Sequence, residues 1–185
     1  FIFNLENIVL ESDFYSPETD ARVIQSTENK TWLRFEKREN EFSKKLATQE
    51  NELNYNWTVN NSEKAIEIAS EYNQLQMERD LFITQTFKAD SNLFAAKLIK
   101  TFREPLLDGY LTKAQRNEVF QKEYLKMLDF GDESLINSQV YTDKIFYYLM
   151  SFNQSSFTQQ QREEAYSRAV ENVFEQTNKN KAFIW

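Results

Sequence analysis

The sequence contains no cysteine and no histidine. Without a thiol it can form no disulfide, no thiolate metal site and no Cys-x-x-Cys redox centre, and without an imidazole it has no histidine general base. Glycine and proline occur only twice each in 185 residues. So few turn-formers disfavour a sandwich or barrel, and favour helices. No long apolar run is present, and the mean hydropathy of −0.70 excludes a membrane-spanning helix. The net charge is −7, and the basic residues are interspersed with acids, as in "EKRENEFSKK" (36–45). A nucleic-acid backbone needs a clustered basic face, so nucleic acid is not an expected partner.

What is present is apolar material. Hydrophobic residues make up 41% of the chain and aromatics 15%, including sixteen Phe, enough for a sizeable core. The chain opens at Phe1 without an initiator Met and closes in "NKNKAFIW". That combination reads as a fragment cut inside an element at its C-terminus.

The first 25 residues are predicted to be the end of a small β domain. "FIFNL" alternates, with Phe1, Phe3 and Leu5 on one face, and "IVLES" follows as a second strand. Pro17 in "YSPETD" fixes a turn. From residue 26 to residue 185 the expectation is one helical domain, so the fold class is mainly α, an irregular multi-helix bundle with a short β remnant. Ser26 or Thr27 caps a helix carrying Trp32, Phe35, Phe42 and Leu46, and "NELNYNW" (51–57) is ambiguous. Asn61 or Ser62 opens a helix with the stripe Ala65, Ile68, Ala69, Tyr72, Leu75 and Phe82. Asp90 or Ser91 caps a third, with Leu93, Phe94, Leu98 and Phe102 inward and Pro105 beyond its end.

Thr112 and Gln115 form a capping box for a helix with Val119, Phe120, Tyr124, Met127 and Leu128, which Gly131 stops in the left-handed conformation. "SQVYTDKIFYYLMSF" (138–152) is a fifth helix. Thr158 and Gln161 repeat the capping box ahead of Ala165, Ala169, Val170, Val173 and Phe174, and a last helix starts at Lys179.

Asp129-Phe130-Gly131 spells the magnesium tripeptide of protein kinases. Kinase chemistry also needs a glycine-rich loop over the phosphates, which two glycines cannot supply. The tripeptide therefore reads as a helix exit, with Phe130 and Leu135 buried around the joint and Asp132 or Ser134 capping the turn after it. Asp129, Asp132, Glu133 and Asp143 offer carboxylates for calcium, but no EF-hand spacing links them. A pair of acids for glycoside hydrolysis can be picked at will from 29 and singles out nothing. "KIFYYLMSF" (144–152) reads as core, with one of the adjacent Tyr147 and Tyr148 exposed, or as an aromatic groove for sugar or peptide. The Asn-x-Ser/Thr sites at Asn29, Asn56, Asn60 and Asn153 are chance occurrences in an Asn-rich chain.

"LDFGDESLINSQVYTDKIFYYL" (128–149) resembles a segment of bacterial envelope proteins of the thioredoxin-like, thiol-disulfide oxidoreductase type, in which a helical module precedes the thioredoxin domain. Asp129, Phe130, Asp132, Leu135, Tyr141, Lys144, Tyr148 and Leu149 carry the likeness, with "VIQSTENKTWLRF" (23–35) and "DSNLFAAKLIKTFREP" (90–105) similar to earlier parts. The resemblance implies a preceding β domain and a location in the periplasm or cell envelope of a Gram-negative bacterium, with a lipid anchor upstream. It carries over no catalytic residue, because the family's Cys-x-x-Cys is missing. The expectation is a non-catalytic module without cofactor or metal, positioning or dimerising a redox domain or presenting a surface to a protein partner. The alternatives are a free-standing helical glycan- or peptide-binding protein and, behind it, a carboxylate-only hydrolase.

Overall fold

The computed structural model describes residues 1–15, 22–136, 138–154 and 157–177. The architecture is mainly α, with six helices and one two-stranded sheet among these residues. Strand β1 (Val9–Glu11) pairs antiparallel with β2 (Arg22–Gln25), with Leu10 opposite Val23. The second expected strand therefore exists, but its partner lies in the "RVIQ" segment.

"FIFNL" forms no strand. Leu5 takes φ 53°, which turns the chain away, and both backbone polar groups of Ile2 are satisfied by one side chain. Asn29 Oδ1 accepts from Ile2 N at 2.7 Å, and Asn29 Nδ2 donates to Ile2 O at 2.7 Å. Ile2 is buried while Phe1, Phe3 and Leu5 are exposed, the reverse of the expected face. Asn29 itself is fully buried, so its glycosylation motif is closed. The Pro17 turn and the helix from Lys179 lie outside the described residues.

Helix α1 (Thr27–Thr58) runs straight through the ambiguous "NELNYNW". Ser26 caps it, its hydroxyl accepting from Asn29 N at 2.9 Å. Asn60 at φ 56° makes the tight connection to α2 (Ser62–Ala89), a left-handed position that asparagine tolerates. The two helices pack antiparallel, with Leu53 against Ala65, Ile68 and Ala69 near the connection, and Phe35 with Ile83 and Phe82 at the far end.

Helix α3 (Phe94–Lys100) is short and buried on opposite sides. Ala95 and Leu98 join the core of the C-terminal helices, and Ile99 joins the Phe35 cluster. Neither Asp90 nor Ser91 caps it. The Glu28 carboxylate does so from α1, accepting from Phe94 N at 2.9 Å and Ala95 N at 2.6 Å. Asp90 instead accepts from the Thr31 hydroxyl.

Helix α4 (Lys113–Glu123) starts at the expected Thr112–Gln115 capping box. It does not reach Gly131. It tightens into a 3₁₀ turn at Tyr124–Met127 and ends where Leu128 becomes extended. Neither glycine has positive φ, so the left-handed exit assigned to Gly131 is absent. The rest of that joint follows expectation: Phe130 and Leu135 are buried, and Asp132 Oδ1 accepts from Ser134 N at 3.1 Å. Helix α5 (Gln139–Met150) follows, then α6 (Gln159–Thr177), opened by the reciprocal Thr158–Gln161 bonds. Ala165 and Ala169 are buried, but Val170 and Phe174 face outward. No helix among the described residues is long and apolar enough to cross a membrane.

Candidate functional site

The tightly constrained glycine is Gly109. A Cβ there would stand 2.8 Å from Ala69 Cα and 2.9 Å from Ala69 O. Gly109 N donates to Asn73 Oδ1 at 2.7 Å, Gln76 exchanges bonds with both backbone groups of Leu107 at 2.8 Å, and Trp57 Nε1 donates to Gly109 O. These contacts press residues 102–111 onto α2. A cleft of about 690 Å³ lies between that segment, the facing sides of α1 and α2, and the aromatic face of α5.

Four charged side chains meet in its wall. Arg79 Nε donates to Glu39 Oε1 at 2.8 Å, Nη1 to Glu104 Oε2 at 3.0 Å and Nη2 to Phe102 O at 3.1 Å. Lys144 reaches Glu104 Oε1 only at 3.5 Å, and its ammonium sits 4.8 Å from the Phe102 ring centre. The Glu39, Arg79 and Lys144 side chains are 7%, 11% and 13% exposed. Burial on its own would lower the Arg79 pKa, but Glu104 and Glu39 outweigh it and hold the guanidinium above its ordinary value. For Lys144 burial wins over Glu104, and the ammonium is pushed below the usual lysine range.

The aromatic wall has two layers. Tyr148 is fully buried and Tyr147 is 56% exposed, so the adjacent pair divides between core and surface as expected. Phe146 is exposed as well, and the segment is therefore half core and half cleft wall. Tyr147 packs edge-on to Phe120, with ring centres 5.5 Å apart. Burial, then Glu104, drives the Tyr124 phenol strongly upward. Two buried polar atoms of this wall have no hydrogen-bond partner: Glu39 Oε2, an acceptor, and the Tyr124 hydroxyl, a donor.

Of the acids weighed from sequence, Asp129 and Asp132 lie away from the cleft. Asp132 pairs with Lys97 at 3.2 Å and Asp129 with Lys100 at 3.7 Å. Asp143 alone joins the cleft. No group of three or more acids converges as metal ligands among the described residues. Sequence reasoning missed Glu39, Arg79 and Glu104. A signal for two of them was present. Glu39 falls between Phe35 and Phe42 on the apolar stripe of α1, and Arg79 continues the Tyr72 stripe of α2, where a charge requires a partner.

Comparison with family models, curated proteins and solved structures finds no match.

Proposed function

We propose that this chain is a non-catalytic helical module of a thioredoxin-like envelope protein, and that its cleft holds a stretch of polypeptide. That stretch belongs either to a redox domain which the module positions or dimerises, or to a protein partner. The observation that carries the reading is the unpartnered pair in the cleft wall. Glu39 Oε2 lacks a donor and the Tyr124 hydroxyl lacks an acceptor, and a peptide backbone offers both. The half-exposed Tyr147 ring, 5.8 Å from the Tyr124 ring, supplies rigid apolar contact area.

The residues that carry the family likeness support it too. Phe130 and Tyr141 stack at 5.6 Å, Tyr141 donates to Asp129 O, and this joint sets the start of α5, which delivers Lys144 to the cleft. The location, periplasm or cell envelope, rests on the same likeness. A second reading, a free-standing glycan-binding protein, draws on the exposed rings of Phe146 and Tyr147.

Fluorescence anisotropy with labelled pools of random-sequence peptides and of soluble oligosaccharides tests the reading. Peptides should bind, and Tyr147→Ala should weaken them. Saturable binding of oligosaccharides alone favours the second reading, and peptide binding untouched by Tyr147→Ala removes the cleft from the account. For the non-catalytic half, insulin reduction by the isolated chain should stay at the no-protein rate. Turnover above it contradicts the reading.

A further inference from the structure

One lysine of the fold is unlike the rest. Among the described residues every lysine except Lys144 is exposed. The Lys144 side chain is 13% exposed and belongs to the cleft wall. Its Nζ lies 3.5 Å from Glu104 Oε1, 4.8 Å from the Phe102 ring centre and 5.9 Å from the Tyr124 ring centre, and all three residues line the same cleft. An ammonium has three N–H groups to place, and here one long bond takes one of them. The carboxylate that accepts it is shared. Glu104 Oε2 accepts from Arg79 Nη1 at 3.0 Å, so two cations divide one anion. The two rings attract a cation through their quadrupoles but replace little of the water it has lost. Burial, helped by Arg79, prevails over Glu104 and Glu39, and the amine gives up its proton more readily than an ordinary lysine. A desolvated lysine beside a second cation is a nucleophile towards carbonyl carbon.

We propose that Lys144 is a covalent binding site for an uncharged aldehyde, held as an imine with its apolar part against the Phe102 and Tyr124 rings. This goes beyond the polypeptide reading, stands without it and involves no turnover. The neutral amine attacks the carbonyl carbon, and the proton that nitrogen gives up passes to the carbonyl oxygen. That oxygen leaves with a second proton as water, and the C=N bond remains; water reverses the step. Charge selects against an anionic carbonyl compound. With Lys144 neutral, Arg79 is the one base among the described lining residues, and it faces Glu39, Glu104 and Asp143.

The experiment is reductive trapping. The whole chain is treated with benzaldehyde and cyanoborohydride, which turns each imine into a stable benzyl amine, and peptide mapping locates the label. Mapping also separates Lys144 from the chain's α-amine. At neutral pH Lys144 should be labelled several times faster than the exposed Lys64 and Lys126, and its rate should saturate with aldehyde concentration. Raising the pH should close the gap, because the exposed amines lose their protons later. 4-Carboxybenzaldehyde should label Lys144 more slowly than benzaldehyde does. Lys144→Arg keeps a positive charge but forms no imine, so the saturable label should vanish while circular dichroism shows the fold intact.

Labelling of Lys144 no faster than that of Lys64 and Lys126 at neutral pH would overturn the proposal. So would a Lys144 rate that climbs with pH in parallel with theirs, or saturable labelling that survives Lys144→Arg. Faster reaction with the carboxylated aldehyde would overturn the assignment to an uncharged ligand.

Discussion

Arg79 and Glu39 face each other from antiparallel helices and are joined twice through one carboxylate oxygen, Oε1, at 2.8 Å from Nε and 2.6 Å from Nη2. The other oxygen of the same carboxylate has no partner. All three guanidinium nitrogens donate, whereas the carboxylate is used through one oxygen only. The ion pair therefore fixes α1 against α2 and leaves one buried acceptor of the cleft wall without a partner.

Removing one member of this pair should be costly. Glu39→Ala leaves a buried guanidinium with only Glu104 to balance it, and a loss of about 3–5 kcal/mol is expected. The Glu39→Leu/Arg79→Met double variant should recover much of that, since a desolvated charge is no longer stranded. Urea unfolding of the three proteins checks this. A single variant within about 1 kcal/mol of the parent would show that the pair is not a buried contact.

The two glycines should respond in opposite order to their sequence prominence. Gly109→Ala drives a methyl into the α2 backbone at Ala69 and should cost about 1–3 kcal/mol. At Gly131 an added Cβ meets only the Asp129 carboxylate, at 3.2 Å. Gly131→Ala should therefore stay within about 0.5 kcal/mol of the parent. Thermal melts of both variants decide it, and equal losses would contradict the account.

Glu28 ties three segments together: it accepts from Phe94 N and Ala95 N, and from Asn4 Nδ2 at 2.8 Å. Glu28→Ala should cost about 1–2 kcal/mol, as the loss of a helix cap does. Hydrogen exchange should rise first at the Phe94 and Ala95 amides. Unchanged protection there would mean that α3 is held by packing alone.

The alkaline limb of stability follows from the buried phenols. Burial, then Glu50, pushes Tyr72 up to about 12, and burial, then Asp132 and Asp129, does the same to Tyr141, from an ordinary value of 10.0. The folded pKa lies above the unfolded one. The stability contributed by the neutral phenols is therefore complete below about pH 10 and is lost as pH rises towards about 12. Tyrosinate absorbance from these residues should appear only as the helical circular dichroism falls. Their ionisation near pH 10 with helices intact would contradict their burial.

The fold was legible where the signal is local. Helical stripes, the Ser26 cap and both Thr–Gln capping boxes depend on residues within one or two turns of each other; the caps and the α1 stripe appear in place, while α6 turns Val170 and Phe174 of its stripe outward. What failed was long-range. The cap of α3 comes from Glu28, 66 positions before Phe94 in sequence. "FIFNL" has strand alternation, but its backbone bonds go to Asn29, a tertiary partner that no periodicity announces. Gly131 drew attention as a stop signal, although α4 had already loosened at Tyr124, and the demanding glycine was Gly109. For the cleft, composition gave the aromatics of α5, while Glu39, Arg79 and Glu104 meet only once α1, α2 and the 102–111 segment are folded together.

The most direct test is where a peptide lands. Amide chemical-shift mapping of the isotope-labelled chain, with the tightest-binding peptide from the random pool, reports this residue by residue. The predicted result is a cluster of shifts at Glu39, Arg79, 102–107 and Lys144 to Tyr148, with intermolecular contacts from peptide protons to the Tyr124 and Tyr147 rings. Shifts confined to the exposed β1–β2 hairpin or to α6, with the cleft silent, would contradict the account.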